Sequence, residues 1–164
     1  MRVGYLPYIQ ALATSSIFCS SLLSSSFYSE YSAALGPYTT ANAGVITDAG
    51  VTGAAKLKVE GNNVVVTLKG AGLSPARTYP AHIHVGHCTD YGPHFKYDTS
   101  VSSAVESNEI WLSLTAKKDG KAEDKVERPI FDTTQPLSIV IHEDTTNPAP
   151  LRRIACGDFT PDHA

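Results

Sequence analysis

Two histidines one residue apart, His82 and His84, stand in the run Ala81-His82-Ile83-His84, where the residue pattern is that of an extended strand. Imidazole ligates transition metals and carries protons near neutral pH. In extended backbone, residues i and i+2 share a face, so both rings can reach one ion while Ile83 points the other way. A His-x-His string is weak by itself, because two hydrogen-bonded or solvent-facing histidines spell the same motif. Two further histidines add weight. His142 ends the run Leu137-Ser138-Ile139-Val140-Ile141-His142 at the mouth of a loop, sharing a facing with Ser138 and Val140 rather than with Ile139 and Ile141. His94 follows Gly92-Pro93, a turn that can swing its ring back toward His82 and His84. Four imidazoles without an accompanying thiolate or carboxylate cluster suit copper, zinc, iron or nickel, and disfavour an iron–sulfur or calcium site.

The elements that must position these rings read as strands. Ala55-Lys56-Leu57-Lys58-Val59 and Val64-Val65-Val66-Thr67-Leu68 alternate at period two, with the hairpin signal Gly61-Asn62-Asn63 between them. Similar runs occupy Glu109 to Thr115, Lys125 to Val126 after the turn Lys118-Asp119-Gly120, and Leu137 to His142. No amphipathic helix of ten residues and no internal repeat interrupts them, which predicts an antiparallel sandwich or barrel rather than an α/β fold. Val85 to Asn108 and Glu143 to Leu151 read as long loops, which in a compact β domain usually carry function.

The chain has 164 residues, 42% apolar and 18% charged, enough for one domain with a buried core. A net charge of −3 argues against general nucleic-acid binding, which needs clustered Lys and Arg. Charge is uneven: from Met1 to Gly50 the charged side chains are Arg2, Glu30 and Asp48 alone. Arg2 followed by an apolar, Ser-rich stretch through Leu23 has the layout of a secretion signal, with small-residue cleavage signatures at Ser32-Ala33-Ala34 and Ala41-Asn42-Ala43. Residues 1–44 are therefore expected to be a signal peptide or a disordered extension, and 45–164 the folded domain. No stretch approaches the roughly 20 apolar residues of a membrane span. Loss of Cys19 with a signal would leave Cys88 and Cys156 as an even pair, either bridged or two buried thiols.

Taken in order, several pieces resemble the copper and zinc superoxide dismutase family. They are His82-Ile83-His84, Cys88-Thr89 followed by Gly92-Pro93-His94-Phe95, Thr115-Ala116-Lys117-Lys118-Asp119-Gly120, Ile139-Val140-Ile141-His142-Glu143, and Arg153-Ile154-Ala155-Cys156-Gly157. The resemblance implies an all-β, eight-stranded antiparallel Greek-key β-barrel with a disulfide between Cys88 and Cys156. It implies copper at His82, His84, His94 and His142, Arg153 guiding the superoxide anion, and the His94 ring delivering a proton. The signal-like segment and the paired cysteines point to a secreted, cell-surface or, in a bacterium, periplasmic protein.

The chain departs from that family in ways that narrow the expectation. In zinc-containing members the histidine matching His94 bridges two metals and the following loop supplies further zinc ligands. Here no histidine lies between His94 and His142, and the nearer loop and next strand offer only Asp98, Glu106 and Glu109, a poor tetrahedral zinc set. Zinc is expected to be absent, as in the copper-only branch, whose members tend to be monomers. A carboxylate could then orient His94 in place of zinc, and Glu109 is the candidate, against the alternative of an exposed acid at a strand start. The connection from His142 to Arg153 is short and should leave the metal open. Arg152, alternating with Arg153, is read as a surface charge, His87 as a loop histidine and His163 as solvated. The rival function is a non-catalytic copper-binding protein for storage, delivery or sequestration on the same barrel.

Overall fold

The computed structural model describes residues 29–38, 50–90, 92–143 and 152–162. Its strands are β1 (Glu30–Pro37), β2 (Thr52–Glu60), β3 (Asn63–Ala71), β4 (Thr78–Val85), β5 (Trp111–Thr115), β6 (Ala122–Pro129), β7 (Leu137–His142), β8 (Arg153–Asp158) and the two-residue β9 (Thr160–Pro161). Among the described residues the one helical piece is a 3₁₀ turn at Cys88–Asp90, and no helix is long and apolar enough to cross a membrane. The alternation seen in the sequence sets the facing of the strands: Ala55 and Leu57 are buried while Lys56 and Lys58 are exposed. The hairpin signal is met where Glu60 pairs with Asn63, and Gly61 takes the left-handed backbone (φ 61°) that glycine adopts most easily.

All the paired strands run antiparallel, in the spatial order β5-β4-β7-β8-β1-β2-β3-β6, with β9 beside β1. The two ends of this path approach each other. The Ser113 N–H of β5 donates to the Asp124 carboxylate of β6 at 2.7 Å, and beyond β5 the Lys117 N–H donates to Lys121 O at 2.8 Å. The result is an all-β, eight-strand, nearly closed barrel, as the period-two pattern predicted. Its interior holds Leu57, Val66, Leu68, Tyr79, Ile83, Leu114, Ile139 and Ile141, all fully buried. Burial of each such side chain stabilises the fold by about 1.5–3 kcal/mol.

Cys88 and Cys156 form a disulfide with Cα atoms 5.9 Å apart across 68 residues of sequence. A loop of that length loses enough unfolded-chain entropy to stabilise the fold by about 4 kcal/mol in the chain-entropy view. The bridge ties the loop after β4 onto β8, where Tyr38 and Val140 pack with it and the Tyr38 hydroxyl donates to Cys88 O at 3.0 Å. It is consistent with an extracellular protein.

The domain boundary expected at residue 45 needs correction. β1 lies ahead of it and belongs to the barrel: Glu30 to Leu35 pair with Lys58 to Gly53 of β2, and Gly36 and Pro37 pair with Cys156 and Ala155 of β8. Ala33 and Leu35 are buried in the core, and Ser32-Ala33-Ala34, read as a cleavage signature, sits inside the strand. Small and hydroxyl side chains with few charges suit both a signal region and a strand between two neighbours, so composition misplaced this segment. The signal-like stretch before residue 29, with Cys19, lies outside the described residues, as do Ala41-Asn42-Ala43 and His163. A chain starting at residue 29 should melt cooperatively in calorimetry, whereas one starting at residue 45, with β2 and β8 stripped of a shared partner, should show no cooperative transition. Equal melting of the two would contradict the placement of β1.

Candidate metal centre

The centre of the site is the pairing of β4 with β7. Ala81 lies opposite Ile141 and Ile83 opposite Ile139 inside the barrel, which puts His82 (opposite Val140) and His84 (opposite Ser138) on the outer face. His142 shares that face, two residues beyond Val140. The pairing of β5 with β4 stops at His82 and Trp111, and past it Pro93–Phe95 runs along β4 instead. Val85 N–H donates to Pro93 O at 3.0 Å, Phe95 N–H donates to Ile83 O at 2.8 Å, and His94 pairs with His84. Gly92 makes this approach possible, because a Cβ there would collide with the Val85 carbonyl oxygen.

These elements bring His82, His84, His94 and His142 together, with one ligand atom from each lying within 4.8 Å of all the others. The group could hold a metal ion. His84 Nε2 and His142 Nε2 are 3.4 Å apart, close to the roughly 3.3 Å separating two nitrogens bound 2.0–2.1 Å from one tetrahedral ion. Burial and the neighbouring imidazoles press the His82 pKa down to about 2. His84 falls to about 3, chiefly through burial, with Arg153 pushing the same way and the Gly92 carbonyl pushing against it. Both rings are thus neutral near pH 7 and keep a lone pair for an ion. His82 Nδ1 is buried with no hydrogen-bond partner, a costly state that coordination would relieve.

A metal-binding imidazole needs its other nitrogen engaged by an acceptor. His94 Nδ1–H donates to Glu109 Oε2 at 2.7 Å, and Trp111 Nε1–H donates to the same oxygen at 2.7 Å. Glu109 is 1% exposed, with the Lys96 ammonium 3.9 Å from its other oxygen. The alternative of an exposed acid at a strand start does not hold, since β5 begins only at Trp111. On His84, Nδ1–H donates to Gly92 O at 2.9 Å, and Arg153 Nη2 donates to the same carbonyl at 2.8 Å. Arg153 Nη2 also lies 3.2 Å from His84 Nδ1, but both atoms are donors that share Gly92 O, so this is a contact and not a hydrogen bond. The opposite tautomer would spend the Nε2 lone pair that faces His142.

Arg153 reaches the site through an irregularity in register. Ile141 pairs with Ala155, but His142 pairs with Arg153, so Ile154 is an extra residue on β8. Ile154 and Ala155 both enter the core, and Arg153 turns out to the histidine face. Arg152 is not the free surface charge that alternation suggested: its guanidinium forks onto the buried Glu143 carboxylate at 2.6 and 2.9 Å, and Glu143 N–H donates to Arg152 O at 2.7 Å.

Other sequence candidates fall elsewhere. His87 is exposed beside Asp158, at 3.6 Å, outside the four-histidine group. Asp98 caps a turn through Ser100, and Glu106 pairs with Arg128 at 2.8 Å. Beside His94, which is 27% exposed, an open cavity of about 540 Å³ is lined in part by Lys96, Thr99 and Gln135. The sequence reading missed Trp111, Lys96, the Gly92 carbonyl and the Glu143–Arg152 pair. Trp111 was accessible in principle, since it lies two residues after Glu109 on an extended run and its indole N–H needs a partner when covered.

Scanned against protein-family models the chain matches none, and a search of curated proteins finds no match.

The depressed histidines make the metal-free protein acid-sensitive. In the unfolded chain His82 and His84 protonate as pH falls below their ordinary 6.5, while in the fold they stay neutral until about 2 and about 3. The unfolded state therefore binds more protons throughout that window, and stability falls with pH by up to about 1.4 kcal/mol per unit for each ring. Urea midpoints of the metal-free protein at pH 7.5, 5.5 and 4.5 should drop in that order, and His82→Gln should remove about half of the slope. A midpoint independent of pH from 7.5 to 4.5 would rule this out.

Proposed function

We propose that this chain is a superoxide dismutase that works with one copper ion, held by His82, His84, His94 and His142, and without zinc. The observation that carries this reading is a single arrangement. Four convergent imidazoles on the outer face of the barrel, two of them held neutral, share a site with an arginine, and the His94 ring is backed by a buried carboxylate. The donor set fits copper, because it is all imidazole and contains an unsatisfied buried nitrogen. Copper bound there supplies one-electron chemistry, which zinc lacks, to take one superoxide to dioxygen and a second to hydrogen peroxide.

The residues of the chain do the rest. Arg153 offers the donors of a planar guanidinium to a small anion beside the site. Its field acts locally in a molecule of net charge −3, raising the encounter rate with superoxide. Glu109 holds the His94 ring by its Nδ1–H and occupies the nitrogen that a second metal would need, which supports the zinc-free reading. The partly exposed His94 beside the open cavity suits proton delivery from solvent to the peroxide product. The disulfide supports a secreted or cell-surface setting.

Copper reconstitution with metal analysis, beside a superoxide-disappearance assay, tests the reading. The wild-type protein should bind one copper per chain and exceed the activity of the free ion. His142→Ala should lose copper and activity together, and Arg153→Ala should keep copper while losing about tenfold or more in rate. Glu109→Gln should retain copper with activity down by about 10–100-fold. No copper uptake would end the proposal, zinc near one per chain would refute the copper-only claim, and copper without activity above the free ion would leave a copper-binding protein.

A further inference from the structure

We infer that the Glu143–Arg152 pair is a register lock that holds Arg153 at the metal site; this inference rests on the functional reading above. Two adjacent arginines begin the return strand, and the register of β7 against β8 decides which of them faces the histidines. Up to Ile141, the pairing follows one register, in which Ile141 meets Ala155. Continued without interruption, it would set His142 opposite Ile154 and Glu143 opposite Arg153. Arg153 would then lie on the side of Glu143, away from the histidine face, because a one-residue slip inverts the facing of every side chain beyond it.

The extra residue at Ile154 prevents that outcome: His142 pairs with Arg153, and the next contact along is the one between Glu143 and Arg152. It has three strands of attachment: the backbone bond at 2.7 Å and two side-chain bonds at 2.6 and 2.9 Å. Glu143 is 4% exposed, so its carboxylate needs a cationic donor in either register. In the observed register Arg152 supplies it, with the planar fork that matches a carboxylate. In the slipped register Arg153 would be the arginine nearest to Glu143. The buried acid therefore competes for Arg153 unless Arg152 satisfies it first. Arg152 and Glu143 are positioning residues: they touch no histidine of the group in the contacts described, and they act through where Arg153 is placed.

Two measurements on the full chain test this. In the copper-loaded protein, azide titrated by visible absorption reports whether a cation stands beside the metal. Arg152→Gln should weaken azide binding at least fivefold, approaching Arg153→Gln, at unchanged copper content. Glu143→Gln/Arg152→Gln should return to within about twofold of wild type, since no acid remains to draw Arg153 away. In the metal-free protein, cross-strand nuclear Overhauser contacts read the register itself. The contact between His142 and Arg153 should shift to His142 and Ile154 in Arg152→Gln, and return in the double variant. Wild-type contacts and wild-type azide affinity in Arg152→Gln would overturn the lock. A wild-type protein that takes up no copper would instead sink the functional reading, while the contacts in the metal-free protein would still decide the register.

Discussion

A carboxylate that is 1% exposed is tolerable only where donors or positive charge surround it, and Glu109 is such a group. Its Oε2 accepts from His94 and from Trp111, and its Oε1, without a hydrogen bond of its own, faces the Lys96 ammonium at 3.9 Å. Each partner is fixed in turn. Lys96 donates to the carbonyls of Val101, Ser102 and Ser103, and Asn108 bonds back to Asp98, so the loop that carries His94 is folded onto the strand that carries Trp111. Removing the charge on Glu109 would leave that loop with its hydrogen bonds but without the attraction that aims the His94 ring. The tautomer of His94 follows from the same contact, because a ring that donates through Nδ1 has its Nε2 lone pair free.

The barrel can build such a site because the two faces of a strand have different tasks. Along β4, Tyr79, Ala81 and Ile83 belong to the core, and the intervening residues are free to be histidines without opening a hole in it. Along β7 the core takes Leu137, Ile139 and Ile141, leaving Ser138, Val140 and His142 to the other face. That outer face is not left to solvent, since the loop bearing Cys88 is bridged to Cys156 and covers Val140. His82, His84 and His142 are buried, and burial is what chiefly keeps His82 and His84 neutral. A protonated ring could not share a site of this size with three others.

What was legible in the sequence was whatever obeyed a local period. His82 and His84 declared a common face through their spacing, His142 declared its own through its strand, and the Gly92-Pro93 turn placed His94 correctly without showing that the Gly92 carbonyl would anchor His84 and Arg153. Glu109 was singled out by elimination among three carboxylates, and its burial was not visible because its strand begins two residues later than the alternation suggested. β1 was missed because a strand with the small residues Ser32-Ala33-Ala34 at its centre has little alternation to detect. Arg152 does face away from Arg153, as alternation predicted, but the side it faces holds the buried Glu143 rather than solvent, and nothing in the local period shows that acid's burial.

On the proposed reading, the charges around the histidine group explain how one carboxylate can sit in a site for superoxide without repelling the anion. Glu109 lies behind His94, with its oxygens turned to Nδ1–H, to the indole and toward Lys96, so its field is opposed locally on three sides. Arg153, a partly exposed residue, stands at His84 and Gly92. On that reading an approaching anion would meet Arg153 while the acid is screened by its own partners. Because low surrounding polarity strengthens both effects, the separation of the two charges matters more than their sum. Net charge over the whole chain, the one electrostatic quantity read directly from composition, is therefore the wrong measure for this site.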